Sequence, residues 1–128
     1  MYGSRGVNAY AQVDLQSRVQ SASPHQLISM LFDGAHNALV RARILMEKGD
    51  VPARGAAITK AINIIDNGLR ASLDHEKGGE ISLDLEQLYD YMTRTLMRAN
   101  LDNNIDTLQH VDELLMSISD AWKQIAPN

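Results

Sequence analysis

The chain has 128 residues, of which 22% are charged, a formal net charge of −4 and no cysteine. That length suits one domain burying about two-thirds of its unfolded surface, and the acidic balance argues against nucleic acid, which is held by clustered Lys and Arg. The missing cysteines exclude disulfides, thiolate metal sites and cysteine nucleophiles, and suit a reducing compartment.

No run approaches the roughly 20 apolar residues that span a bilayer, so no membrane insertion and a cytoplasmic location are expected. Residues 1–22 open with Gly3, Ser4, Gly6 and Asn8 and show little apolar periodicity. They read as a mobile N-terminal segment, with a short helix from about Val13 to Val19 that must dock elsewhere if it is ordered. Residues 23–128 read as a helical bundle domain.

The first long helix is fixed at its start by Ser23, a good N-cap, and Pro24, which fits the first helical position. It runs to about Lys48 and stops at Gly49–Asp50. Ile28, Leu31, Ala35, Ala38, Ala42 and Leu45 recur in steps of three and four, a heptad-like seam. Gly34 costs about 1 kcal/mol relative to Ala inside a helix, which suggests close packing against another backbone at that point.

The second helix is expected from Pro52 to about Glu76, ended by Lys77-Gly78-Gly79. It carries a bulky stripe, Ile58, Ile62, Ile65, Leu69 and Leu73, and a smaller one, Ala57, Ala61, Ile64, Gly68 and Ala71. Two stripes need two neighbours: both within the bundle, or one of them a foreign helix. The acidic stretch from Asp74 to Asp90 reads as a solvated linker and helix start.

The third helix opens at Ser82 and runs to about Asn100 through Leu85, Leu88, Tyr89, Met92, Leu96 and Ala99, with Tyr89 and Tyr91 on different faces. After an Asn- and Asp-rich turn at 100–104, the last helix runs from about Ile105 to Ile125 and ends before Pro127. Its seam is Leu108, Val111, Leu115, Ile118, Trp122 and Ile125. The fold class expected is all-α, an antiparallel up-down four-helix bundle with a short, mobile N-terminal helix or segment.

Bundles often hold metals, yet the paired Glu-x-x-His pattern of di-iron sites is missing, and Asp33/His36 and Asp106/His110 read as polar contacts between helical neighbours. A four-helix histidine phosphotransfer protein is the alternative function. His36 is followed by Asn37, Ala38, Leu39 and Val40, and His110 by Val111, Asp112, Glu113 and Leu114, and neither environment fits the room and countercharge that a phosphoryl group would need. No serine–base pair or glycine-rich phosphate cradle is evident, so the expectation is a binding module rather than an enzyme, with no cofactor and no metal.

Four blocks in order carry a resemblance. They are Asn8-Ala9-Tyr10 with Ala22-Ser23-Pro24, Leu27 and Met30-Leu31-Phe32-Asp33-Gly34-Ala35; Lys60-Ala61-x-Asn63-Ile64-Ile65 to Leu69; Leu88-Tyr89-Asp90-Tyr91-Met92 through Leu96 to Ala99-Asn100; and Asp120-Ala121-Trp122-Lys123. Together they resemble the FliS family of flagellar secretion chaperones over nearly the whole chain. The resemblance implies a cytoplasmic helical bundle that binds the C-terminal region of newly made flagellin, prevents premature polymerisation and assists export, with export apparatus components as further partners. For this chain it suggests Tyr10 and Val13 at the flagellin groove and Asn63, Ile64, Leu69, Tyr89, Met92, Leu96 and Asn100 on the partner surface. Core packing is the competing role for Ile64, Leu69, Met92 and Leu96. A mobile N-terminus is also compatible with exchange between chains and hence a homodimer.

Overall fold

The computed structural model describes the backbone from Tyr2 to Ile125 and the side chains from Ala11 to Ile125. Among these residues the elements are α1 (Tyr2–Ser21), α2 (Pro24–Lys48), α3 (Val51–Asn63) continued by a π-helical stretch (Ile64–Arg70), α4 (His75–Asp102) and α5 (Ile105–Gln124), with no strand. α2 packs against α3 and α5, and α4 packs against α3 and α5, which closes a ring of four. The connections run from two to four residues, and side chains at the start of one helix meet those at the end of the next, as Arg54 meets Asn100. The bundle is therefore antiparallel and up-down.

α1 is longer than the expected segment from Val13 to Val19. No proline precedes Pro24, and Ala11, Gln12, Leu15, Gln16 and Arg18 all tolerate a helix well. It ends where Pro24 forces the preceding residue out of the helical region: Ser23 has φ −69° and ψ 164°. Every described side chain of α1 from Ala11 to Ser21 is exposed. Ser23 then caps α2 reciprocally, its Oγ accepting from Gln26 N at 3.1 Å while Gln26 Oε1 accepts from Ser23 N at 2.8 Å, an arrangement worth about 1 kcal/mol.

The core follows the predicted seams, with Leu39 of α2 as a member that they did not include. Ala35, Leu39, Ala42, Ala61, Ile65, Met92, Leu96, Ala99, Val111 and Leu115 are fully buried, and burial of each larger aliphatic side chain contributes about 1.5–3 kcal/mol. α3 uses both of its stripes inside the bundle, since Ala57 and Ala61 are buried as well as Ile58, Ile65 and Leu69. The close approach expected at Gly34 lies elsewhere. A Cβ on Gly34 would meet Ile64 Cδ1 at an ordinary 3.5 Å, whereas one on Gly68 would press on Leu31 Cδ2 at 3.0 Å.

The expected end of the second helix near Glu76 is also moved. α3 ends at the π-helical stretch, and Asp74 caps a new turn, its carboxylate accepting from Glu76 N and Lys77 N. That turn breaks at Gly79, whose φ of 51° and ψ of −123° suit only glycine, and the long part of α4 follows. The Lys77-Gly78-Gly79 signal thus marks a break inside α4 rather than the end of α3.

Candidate partner-binding cleft

At the end of the bundle where α2 begins and α5 stops, the seams carry side chains larger than the neighbours can cover. Ile28 and Phe32 of α2, Leu69 and Leu73, Ile81, Leu85 and Tyr89 of α4, and Ile118, Trp122 and Ile125 line a cleft of about 510 Å³. Ser72, Ser117 and Ala121 complete a wall that is mostly apolar. A second, more open groove of about 1180 Å³ runs beside it between α2, α5 and the last turns of α1, where Val19 joins Leu27, Met30 and Leu31. Ile28, Ser72, Trp122 and Ile125 belong to both, so the two form one continuous apolar surface. A concave apolar surface with few polar groups is the form that an amphipathic helix occupies in helix-in-groove recognition.

The rims of the cleft are held by specific contacts. The ring of His25 stacks on Trp122, with centroids 4.4 Å apart and planes 11° from parallel. Trp122 Nε1 donates to His25 O at 3.1 Å, and His25 Nε2 lies 2.8 Å from Trp122 O, which requires a proton on Nε2. This pair ties the first turn of α2 to the last turn of α5. On the opposite rim Arg70 donates to Asp66 Oδ1 at 3.2 Å and Glu86 Oε1 at 3.3 Å, and Asp90 lies 3.9 Å away. The hydrogen bond to Asp66, followed by that to Glu86, raises the guanidinium pKa above its ordinary value. Glu86 also meets His75 Nε2 at 2.8 Å, so one carboxylate joins the end of the π-helical stretch to the cap turn of α4.

Tyr89 forms part of the floor. It is nearly buried, and burial pushes its phenol up to about 12, so it stays protonated and its hydroxyl remains a donor through the neutral range.

The residues singled out from the sequence do not gather in one place. Leu69 and Tyr89 are in the cleft floor. Asn63 is exposed at the end of α3, and Ile64, first residue of the π-helical stretch, is half-buried against the core beside Gly34 of α2; both border a shallow groove with Leu31, Lys60, Asn67 and Gly68. Met92 and Leu96 are fully buried, because their register on α4 points them at the centre of the bundle. Asn100 is at the far end of α4, where its side chain and carbonyl accept from Arg54 at 3.2 and 3.1 Å. Val13 is exposed on α1, and the side chain of Tyr10 lies outside the described residues. The sequence reading missed Ile28, Phe32, Leu73, Ile81, Leu85, Ile118, Trp122 and Ile125 as a surface. A usable signal was there: the α2 seam changes from Ala at its middle to Ile and Leu at its start, and the α5 seam ends in Ile, Trp and Ile.

Two other readings of the residues meet the geometry. No three His, Asp or Glu side chains gather as a metal-binding group among the described residues. His36 Nδ1 sits 2.7 Å from Asp112 Oδ1, half-buried between α2 and α5. No described helix is long and apolar enough to cross a membrane.

Comparison with known proteins agrees over nearly the whole chain. The family model described as flagellar protein FliS matches residues 6–128. The flagellar secretion chaperone FliS of Salmonella typhimurium LT2 is 61% identical over 127 residues, covering 99% of this chain and 94% of the relative. The Escherichia coli K12 protein of the same name is 48% identical, covering 97% and 91%. That of Bacillus subtilis 168 is 33% identical, covering 85% and 80%. With its helical bundle, its apolar cleft and these matches, the chain belongs to the FliS family of flagellar secretion chaperones.

Proposed function

We propose that this protein binds the C-terminal helical region of newly made flagellin in the cytoplasm, keeps it from polymerising early and assists its delivery to the flagellar type III export apparatus. The observation that supports the reading is the continuous apolar surface at one end of a FliS-family bundle, bordered by Trp122, Ile118, Ile81 and Leu85. The assembly segment of a filament subunit is an apolar helical strip that would self-associate unless covered, and a cleft of this kind covers it without any metal, nucleotide or catalytic group. Leu69 and Tyr89 supply floor area and a hydroxyl donor, and Asn63 and Ile64 extend the contact along α3. Tyr10 and Val13 are assigned by this reading to the N-terminal segment that changes place as the partner arrives.

The test is a titration of the protein with flagellin from its own organism, intact and with the C-terminal helical segment removed. Binding to the intact protein alone is expected. Equal binding to both, or to neither, would sink the reading. Tyr10→Ala should keep its melting temperature and lose affinity; equal losses would make Tyr10 a packing residue.

A further inference from the structure

The charges around the cleft are unevenly satisfied, and the unevenness has a direction. On the α2–α5 rim, Lys123 Nζ pairs with Asp33 Oδ1 at 2.8 Å, and on the α3–α4 rim Arg70 is surrounded by Asp66, Glu86 and Asp90. The α4–α5 lip differs. Asp84 lies seven residues before Tyr91, hence on the same face of α4, and the Tyr91 ring meets His110 of α5 edge-on with centroids 6.5 Å apart. Glu80 precedes Asp84 by one turn. On α5, Glu113 continues the row of Ser117 and Ala121, both of which line the cleft, and Asp120 lies seven residues beyond Glu113.

All four carboxylates are exposed, and none of them has an ion pair or hydrogen bond with a described residue. Like charges four apart on a helix, as at Glu80 and Asp84, cost a few tenths of a kcal/mol. An apolar cleft lined by Ile81, Leu85, Ile118 and Trp122 thus opens beside two carboxylate rows that form no ion pair among the described residues.

We propose that the α4–α5 lip selects, among amphipathic helices, those whose apolar stripe is bordered by Lys or Arg on one side. This rests on the cleft being the helix site. The stripe fills the cleft while the basic border faces Glu80, Asp84, Glu113 and Asp120, and a helix with an acidic border is repelled at the same lip. Charges of this kind act mainly on the rate of encounter and on the exclusion of wrong partners, and they weaken with salt.

The experiment uses the full chain and the C-terminal helical segment of flagellin as the probe, in its natural form and in three synthetic forms that share its apolar stripe. The positions bordering the stripe on one side are all Lys, all Gln or all Glu. Trp122 is the only tryptophan and lines the cleft, so its fluorescence reports occupancy directly. In low salt of about 50 mM the Lys form should bind at least about tenfold more tightly than the Glu form, with the gap shrinking near 500 mM. The gap should close in the variant Glu80→Gln/Asp84→Asn/Glu113→Gln/Asp120→Asn, whose melting temperature checks that it is folded. Equal affinity of the three forms, or a gap that survives in the variant, overturns the selection and leaves the cleft as a helix site. No binding by any form, the natural one included, overturns the helix-site reading and the selection with it.

Discussion

At the end of the bundle where α4 stops, Arg54 is only 8% exposed and donates to Asn100 Oδ1, Asn100 O and Asn103 Oδ1, at 3.2, 3.1 and 2.6 Å. No described carboxylate pairs with it; the negative end of the α4 dipole and the carbonyls of its last turn answer it. At the opposite end Trp122, Ile118, Ile81 and Leu85 stand around an open cleft, and the polar contacts lie only on its rims. The first end is closed by a polar clamp on two helix termini. The second has an apolar excess that the described residues leave uncovered. The comparison teaches that the polar clamp and the open apolar cleft lie about one bundle length apart, so they can be perturbed separately.

That separation can be tested from both sides. Arg54→Ala leaves the end of α4 without its buried donor and should lower unfolding free energy by about 3 kcal/mol in denaturant titration, while the folded fraction binds flagellin with unchanged affinity. A parallel loss of affinity would show that the two ends are coupled.

Tyr89 belongs to the open end but also to the core, and pH separates the two roles. Its pKa is raised in the folded state, so the stability it contributes is present below the unfolded value near 10 and is lost as pH rises to about 12. A shift from 10 to about 12 corresponds to about 2–3 kcal/mol across that window. Tyr89→Phe should lack this part of the alkaline slope when both proteins are unfolded at a series of pH values.

Trp122→Ala should cost about 2 kcal/mol of flagellin affinity, as loss of a buried aromatic anchor commonly does, and less in folding stability, because the residue is only half-buried in the free protein. A larger effect on melting than on binding would move Trp122 from the recognition end to the structural one. The smallest effect is expected at the exposed pair Lys123–Asp33, where Asp33→Asn should change stability by less than about 0.5 kcal/mol.

Much of the closed architecture could be read in the sequence. Ser23 and Pro24 start α2, and the seam residues Ala35, Ala42, Leu96, Val111 and Leu115 are the ones found buried. Periodicity reports which way a side chain points, but not how far its neighbours extend to cover it. That is why Ile118 and Trp122 read as ordinary seam positions and turn out to line a cleft, while Met92 and Leu96, assigned to the partner surface with core packing as the competing role, are sealed inside. The break at Gly79 was visible as a glycine pair, but Asp74 capping a separate turn ahead of it was not, since that depends on where α3 stops. The length of α1 was hidden for the opposite reason: its sequence lacks an apolar stripe, and a helix without one leaves no periodic trace.

The π-helical stretch from Ile64 to Arg70 bears on all of this through simple counting. Such a stretch accommodates one residue more than the surrounding α-helical path, and each residue turns an α-helix by about 100°. Removing the spare residue from this stretch is therefore expected to return it to an α-helical path with the downstream residues pointing much as they do now. A deletion in the regular part of α3, with the stretch kept, would instead swing everything downstream by about 100°, taking Leu73 out of the cleft and parting Arg70 from Glu86. The mouth of the cleft thus depends on the count of residues along α3, and the π-helical stretch is the place where one residue can be lost at least cost.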